Sequence, residues 1–290
     1  MITGSIVALL TPMHDDGAVD WAALDGLLDM HLAAGTSAIV VAGTTGESAT
    51  LSIPEHCELI QYCVTAMKGR MPIIAGTGSN STREAIELTE AAAKAGVDAC
   101  LLVTPYYNRP TQRGLYEHHK AISAAVDVPQ ILYNVPGRTA VDMLNDTVIE
   151  LAALHNIVGV KDATGDVERG RDLIARCGSG FAIYSGDDAT AMELILAGAH
   201  GSISVTANIA PQGSAAMCMH ALAGERGAAQ AEDDKMAALN SALFLEANPI
   251  PVKWAAYHRG IIGPGIRLPL TLLDEQYQPQ VIAAMESAGV

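Results

Sequence analysis

Ile157-Val-Gly-Val-Lys-Asp-Ala163 is the stretch on which the fold turns. It is apolar at almost every position, where a strand with one wet face would alternate, so it reads as a strand of a parallel sheet covered on both sides. A polar turn and a segment of helical spacing follow it. Working outward, apolar runs at Ser5–Thr11, Ala38–Gly43, Pro72–Gly76, Ala99–Pro105, Gln130–Val135, Ala182–Gly186 and Ser202–Thr206 bring the number, with Ile157–Asp162, to eight. The intervals carry helix punctuation. Ser52-Ile-Pro-Glu55 and Ser81-Thr-Arg-Glu84 have the form of S-x-x-E capping boxes, and Gly35, Gly96 and Gly198 stand where left-handed residues end helices. Right-handed crossovers place each strand beside the last, so eight such units predict an α/β fold of the (β/α)8 TIM-barrel type. A doubly wound open sheet is the alternative.

After Asn208 the strand signal stops. From Pro211 to Val290 the chain is rich in Ala, Met and Leu at helical spacing, interrupted at Asn248-Pro249-Ile250-Pro251. Residues 1–224 are therefore assigned to the barrel with its active site, and 225–290 to an appended C-terminal helical segment. That segment must cap the barrel, contact another subunit, or do both.

Composition narrows the function. Lys and Arg number 17 against 32 Asp and Glu, a net charge of −15 in 290 residues, which repels phosphate and argues against a nucleic-acid partner. Five cysteines, widely spaced and never as C-x-x-C, read as reduced thiols of a cytoplasmic protein. No run approaches the roughly 18 apolar residues of a membrane helix, and the first residues lack the basic start of a signal peptide. The nine histidines form no H-x3-H or H-E-x-x-H arrangement, so no metal is expected. Gly76-Thr-Gly-Ser-Asn-Ser81 lacks the third glycine of a dinucleotide loop and reads as a helix start.

Barrel enzymes work at the C-terminal ends of their strands. The exits here are polar: Gly43-Thr44-Thr45-Gly46-Glu47, Thr104-Pro-Tyr106-Tyr107-Asn108, Tyr133-Asn-Val-Pro-Gly-Arg138, Lys161-Asp162 and Ser185-Gly186-Asp187-Asp188. Of six lysines only Lys161 interrupts a strand-like run. Burial disfavours an ammonium, so Lys161 is a candidate Schiff-base nucleophile; a salt bridge to Asp162 or a place at the rim is the other reading. Tyr133 could present its phenol to the same mouth or simply pack. Thr44 and Thr45, between glycines, could offer amides and hydroxyls to a small anion or cap a helix. Arg138 could hold a carboxylate or make a surface ion pair. Acidic Asp187-Asp188, where phosphate-binding barrels place donors, disfavours a phosphorylated substrate.

Taken together, GTTGES (Gly43–Ser48), VTPYYNRP (Val103–Pro110), ILYNVPGRT (Ile131–Thr139), GVKDATG (Gly159–Gly165), SGDDA (Ser185–Ala189), SVTAN (Ser204–Asn208) and NPIPVKWA (Asn248–Ala255) resemble the dihydrodipicolinate synthase (4-hydroxy-tetrahydrodipicolinate synthase) family. That family belongs to a superfamily shared with N-acetylneuraminate lyase and other pyruvate aldolases, and the likeness spans almost the entire chain. It implies a lyase of diaminopimelate and lysine biosynthesis that condenses pyruvate with L-aspartate 4-semialdehyde, without cofactor. Lys161 would form the imine, and Tyr133, Thr44 and Tyr107 would relay protons, Tyr107 from across a dimer interface of a homotetramer. Thr45 would bind pyruvate, Gly186 and Ile203 would line the imine pocket, and Arg138 would hold the semialdehyde carboxylate. Ser48, Ala49, His56, Asn80, Glu84 and Tyr106 match the allosteric lysine site of inhibited members. Ile53 departs from the His of some relatives and is expected to weaken that contact. A sugar-acid aldolase of the same superfamily and a catalytically dead barrel-shaped binding protein are the alternatives.

Overall fold

The computed structural model describes residues 1–290. All eight apolar runs are strands: β1 Gly4–Ala8, β2 Ala38–Val41, β3 Ile73–Gly76, β4 Ala99–Val103, β5 Gln130–Asn134, β6 Ile157–Asp162, β7 Ala182–Ser185 and β8 Gly201–Ser204. They pair in chain order, all parallel, and β8 closes on β1 through Gly4 opposite Gly201 and Ile6 opposite Ile203. The helices around them are α1 Trp21–Ala33, α2 Ile53–Met67, α3 Thr82–Ala95, α4 Gln112–Ala125, α5 Pro136–Thr139, α6 Asn145–Ala152, α7 Val167–Cys177, α8 Ala191–Leu196 and α9 Pro211–Leu222. The chain is thus a TIM barrel, and the open-sheet alternative falls. None of the helices is long and apolar enough to cross a membrane.

Hydrophobic burial is split by the barrel wall. Alternate strand residues, among them Ile6, Val40, Ile74, Leu101, Ile131, Tyr133, Tyr184 and Ile203, fill the interior. The intervening ones face the helices: Leu132, Val160 and Ile183 meet Leu115, Leu151 and Leu173 in one outer cluster. On β6 this alternation is broken, and the break sets the site. Ile157 and Val160, three residues apart, both belong to that outer cluster. The pairing with β5 jumps from Gln130 opposite Ile157 to Ile131 opposite Gly159, a bulge that leaves Val158 as the extra residue. With strict two-residue periodicity from Ile157, position 161 would point out to the helices; the bulge turns it inward. Gly159 permits the close strand approach there, because a Cβ on it would lie 2.6 Å from the carbonyl oxygen of Ala182.

The segment beyond the barrel forms α10 Arg226–Ala242, α11 Ile250–His258 and α12 Gln278–Ser287. Its Met236, Leu239, Val252, Ala255, Val281 and Met285 share one buried cluster with Val7, Leu24, Leu27 and Met217 of the barrel. The capping expectations divide. Ser52 and Glu55 make the reciprocal box at the start of α2, with Ser52 N–H donating to Glu55 Oε2 at 3.0 Å. At α3 only half a box forms: Ser81 Oγ accepts from Glu84 N–H, but the Glu84 carboxylate turns away to accept from Ser79 Oγ at 3.0 Å. Ser79 Oγ also accepts from the Ser81 N–H at 3.2 Å, which fixes the hydroxyl beside the helix start. Glu84 is thereby released from the helix end to face a cavity.

Candidate active site

A cavity of about 140 Å3 opens at the C-terminal mouth of the barrel, lined in part by Thr44, Thr45, Tyr133, Arg138, Lys161 and Gly186. Lys161 forms its floor. The residue is 5% exposed, and β5 and β7 flank it with Tyr133 and Tyr184 in register. Its Nζ stands 4.3 Å from the centroid of the Tyr133 ring. The salt-bridge alternative falls, because Asp162 faces the other way: it takes Arg169 Nε at 3.1 Å and the Thr164 N–H at 2.9 Å. No carboxylate pairs with the Lys161 amine. Tyr184, by contrast, points to the barrel floor and donates to the Ile2 carbonyl at 2.7 Å, its phenol pushed up to about 12 by burial.

Gly186 makes room for the lysine arm. A Cβ at that position would lie 2.8 Å from Lys161 Cε and 2.8 Å from Ala163 Cβ. Behind it, Asp187 Oδ2 accepts from Thr190 N–H at 3.1 Å, and Asp188 accepts the Val205 and Thr206 N–H groups at 3.0 and 2.9 Å. These carboxylates brace the exits of β7 and β8. Burial raises the Asp188 carboxyl and the hydrogen bonds partly offset it.

The opposite wall is held by the C-terminal segment, which the sequence pattern did not reveal. Asn248 Nδ2 donates to Thr45 Oγ1 at 3.0 Å, and the Asn248 carbonyl accepts from Arg138 Nη2 at 2.9 Å. Glu47, two residues after Thr45, forms a buried ion pair with Lys253 of α11 and accepts the Arg267 N–H at 3.1 Å. Burial lowers the Lys253 ammonium and Glu47 counteracts this. The only sequence signal was the NPIPVKWA motif, whose residues had no assigned role.

Beside this cavity lies another of about 280 Å3, which shares Thr44, Ser48, Gly78 and Arg138 with it and adds Ala49, Ile53, His56, Glu84 and Tyr106. His56 Nε2 donates to the Gly76 carbonyl at 2.7 Å; burial lowers its imidazole, opposed by that bond and by Glu84. Asn80 is off this wall and instead donates to the Tyr106 carbonyl at 3.2 Å. Two further candidates stand apart from both cavities. Ile203 lies deeper, sealed in the barrel interior, while Val205 occupies the wall. Tyr107 projects outward, 91% exposed, from a left-handed backbone at φ 72°.

A closed (β/α)8 barrel with an unpaired amine at the floor of its C-terminal mouth and a guanidinium at the rim defines the class, a TIM barrel with a lysine-floored pocket at the C-terminal ends of its strands. The chain belongs to the Dihydrodipicolinate synthetase family, whose sequence profile matches residues 1–288. It is 61% identical to the 4-hydroxy-tetrahydrodipicolinate synthase of Thioalkalivibrio sulfidiphilus, over 100% of this chain and 99% of that one. Among solved structures it resembles the chloride-inhibited dihydrodipicolinate synthase of Acinetobacter baumannii in complex with pyruvate, with 56% identity, 100% coverage of both chains and a TM-score of 0.99. It also resembles the lysine-bound enzyme of Cyanidioschyzon merolae, with 40% identity, 99% and 98% coverage and a TM-score of 0.96.

Proposed function

We propose that this protein condenses pyruvate with L-aspartate 4-semialdehyde to 4-hydroxy-tetrahydrodipicolinate, the step that opens the diaminopimelate route to lysine. The observation that carries the reading is the isolated Lys161 amine beneath a cavity that also offers Arg138. The Lys161 amine attacks the pyruvate ketone through its nitrogen lone pair, and the carbonyl oxygen departs as water to leave an iminium. Its positive nitrogen acidifies the adjacent methyl group, whose proton leaves to give an enamine. The enamine carbon bonds to the aldehyde, the substrate's own amine closes on the imine carbon, and Lys161 is expelled. Tyr133, Thr44 and Tyr107 carry the protons, Tyr107 being supplied by a second copy of the chain in a homotetramer built from dimers. Thr45 holds the pyruvate carboxylate and Arg138 that of the semialdehyde.

Borohydride reduction in the presence of pyruvate should add one pyruvate-derived unit to the peptide containing Lys161, and Lys161→Ala should abolish the label. A bare Lys161 overturns the proposal. A labelled lysine with no turnover of the semialdehyde, but turnover of a sugar-derived aldehyde, moves the protein to the sugar-acid aldolases.

The neighbouring cavity is the regulatory half of the proposal. Glu84, freed from its cap, offers a carboxylate to an ammonium, and a relative binds lysine. L-Lysine should bind with Ser48, Ala49, His56, Glu84 and Tyr106 around it and inhibit the enzyme, Asn80 acting only through the Tyr106 backbone it holds and Ile53 weakening the contact. Glu84→Gln should reduce its affinity about tenfold or more in a calorimetric titration, the weight of one charged hydrogen bond. Unchanged affinity would remove Glu84 from the site. The division into barrel residues 1–224 and segment 225–290, and a cytoplasmic location, complete the reading. All five cysteines are free thiols, in keeping with that compartment.

A further inference from the structure

Asn248 lies two residues before α11, in the break that follows α10, lines the cavity above Lys161 and is 6% exposed. Its side-chain amide donates to Thr45 Oγ1 at 3.0 Å. A hydroxyl has one hydrogen and can serve as donor or acceptor according to its rotor. With a lone pair of Thr45 taken by the Asn248 N–H, and with no protein acceptor for its own hydrogen, the Thr45 hydroxyl is left to donate into the cavity. The Asn248 carbonyl meanwhile accepts from Arg138 Nη2 at 2.9 Å, which draws the guanidinium over the same opening. We propose that Asn248 is a positioning residue that polarises the Thr45 hydroxyl into a fixed donor for the carboxylate of pyruvate, while its backbone sets Arg138 for the second substrate. This rests on the pyruvate-binding reading above and deepens it.

Asn248 has two polar ends, and only one is engaged: Oδ1 is buried without a partner. The engaged end therefore decides the polarity of Thr45, and an isosteric residue that can only accept reverses it. In Asn248→Asp the carboxylate would draw the Thr45 hydrogen out of the cavity. The apparent dissociation constant of pyruvate, read from the concentration dependence of the borohydride-trapped imine, should rise by about tenfold to a hundredfold, the usual weight of a hydrogen bond to a charged group. KM for pyruvate should follow it, with a smaller change in kcat. The added negative charge would also repel pyruvate, so the decisive measurement is the same substitution in a Thr45→Val background. There Asn248→Asp should weaken pyruvate binding by no more than about threefold, because no hydroxyl remains to be turned. Equal effects in both backgrounds would mean simple repulsion and overturn the proposal. So would unaltered pyruvate binding in Asn248→Asp, which would show that Asn248 accepts from Thr45 in the wild type. Asn248→Leu provides an uncharged check if the aspartate variant folds poorly: a smaller rise in the same constant, again absent in Thr45→Val. Failure of the wild type to be trapped at all would count against the pyruvate chemistry, a separate outcome.

Discussion

Lys253→Met removes one partner of the most deeply buried ion pair in the protein. The side chains of Lys253 and Glu47 are 2% and 0% exposed, and the pair joins α11 to the turn that carries Thr44 and Thr45. With the ammonium gone, the Glu47 carboxylate keeps only the Arg267 N–H at 3.1 Å. An uncompensated charge at such a site costs about 3 to 5 kcal/mol, whereas neutralising both partners costs far less, since the intact pair had already lost much of its hydration. At roughly 2 °C per kcal/mol for a chain of this length, the melting temperature should fall by about 6 to 10 °C. The double variant Glu47→Gln, Lys253→Met should recover at least about 2 kcal/mol of that loss, a coupling that contacting residues show and distant ones do not. Calorimetry and urea unfolding at fixed protein concentration measure both, the concentration being held because assembly would contribute to apparent stability. The variant should also bind pyruvate more weakly, because Glu47 holds its turn in a left-handed conformation at φ 58° two residues from Thr45. A loss under about 1 kcal/mol for the single change, or simple additivity in the double, would refute the view that this pair clamps the site.

Gly186→Ala should reduce imine formation far more than it reduces stability, because the new methyl would press on Lys161 Cε and Ala163 Cβ, both at 2.8 Å. Trapping with pyruvate alongside a thermal melt separates the two effects, and full trapping in a normally folded variant would contradict it. Acidification gives a second test. Burial lowers His31 and His118 to about 4 and His119 well below the ordinary 6.5. Between pH 6.5 and 4 the unfolded chain therefore takes up protons that the native state refuses, and stability falls as pH falls, by roughly 3 kcal/mol each for His31 and His118 over the full window. Asp233 works the other way. Burial and then Asp234 raise its carboxyl to about 6, so the native state holds that proton and gains on acidification. Asp188, also raised, adds to this. Burial lowers His56 and His200 as well, and five histidines should outweigh two carboxyls, so the urea midpoint at pH 5 should lie below that at pH 7. A midpoint that rises instead would show that the carboxyls dominate.

Much of the fold was legible because doubly covered strands leave an unambiguous apolar mark, and eight of them in sequence admit few arrangements. The strand exits were legible for the same reason: polar residues directly after an apolar run have little to do in a core. What escaped was contributed by sequence-distant partners. Asn248 and Lys253 reach Thr45 and Glu47 across some two hundred positions, and no local spacing encodes such contacts. Glu84 was misread for a related reason, since S-x-x-E predicts a reciprocal box and cannot foresee that Ser79 takes the carboxylate.

The bulge in β6 shows how a site can depend on a feature that sequence displays only obliquely. Ile157 and Val160 both face the helices, which strict alternation forbids, so an extra residue between them is required. That extra residue is what puts the Lys161 amine inside the barrel, opposite Tyr133, while its neighbour Asp162 is turned out to Arg169. Without it the same six residues would bury a carboxylate in the barrel and send the amine out toward the helices. Glycine inside an otherwise apolar strand was the available sign, because it marks bulges and close backbone approaches, and Gly159 serves the second purpose against Ala182. The chemistry of the site is therefore fixed by backbone geometry two and three residues before the reactive group. A substitution at Gly159 that forces β6 from β7 should disable Lys161 without touching any residue that lines the cavity.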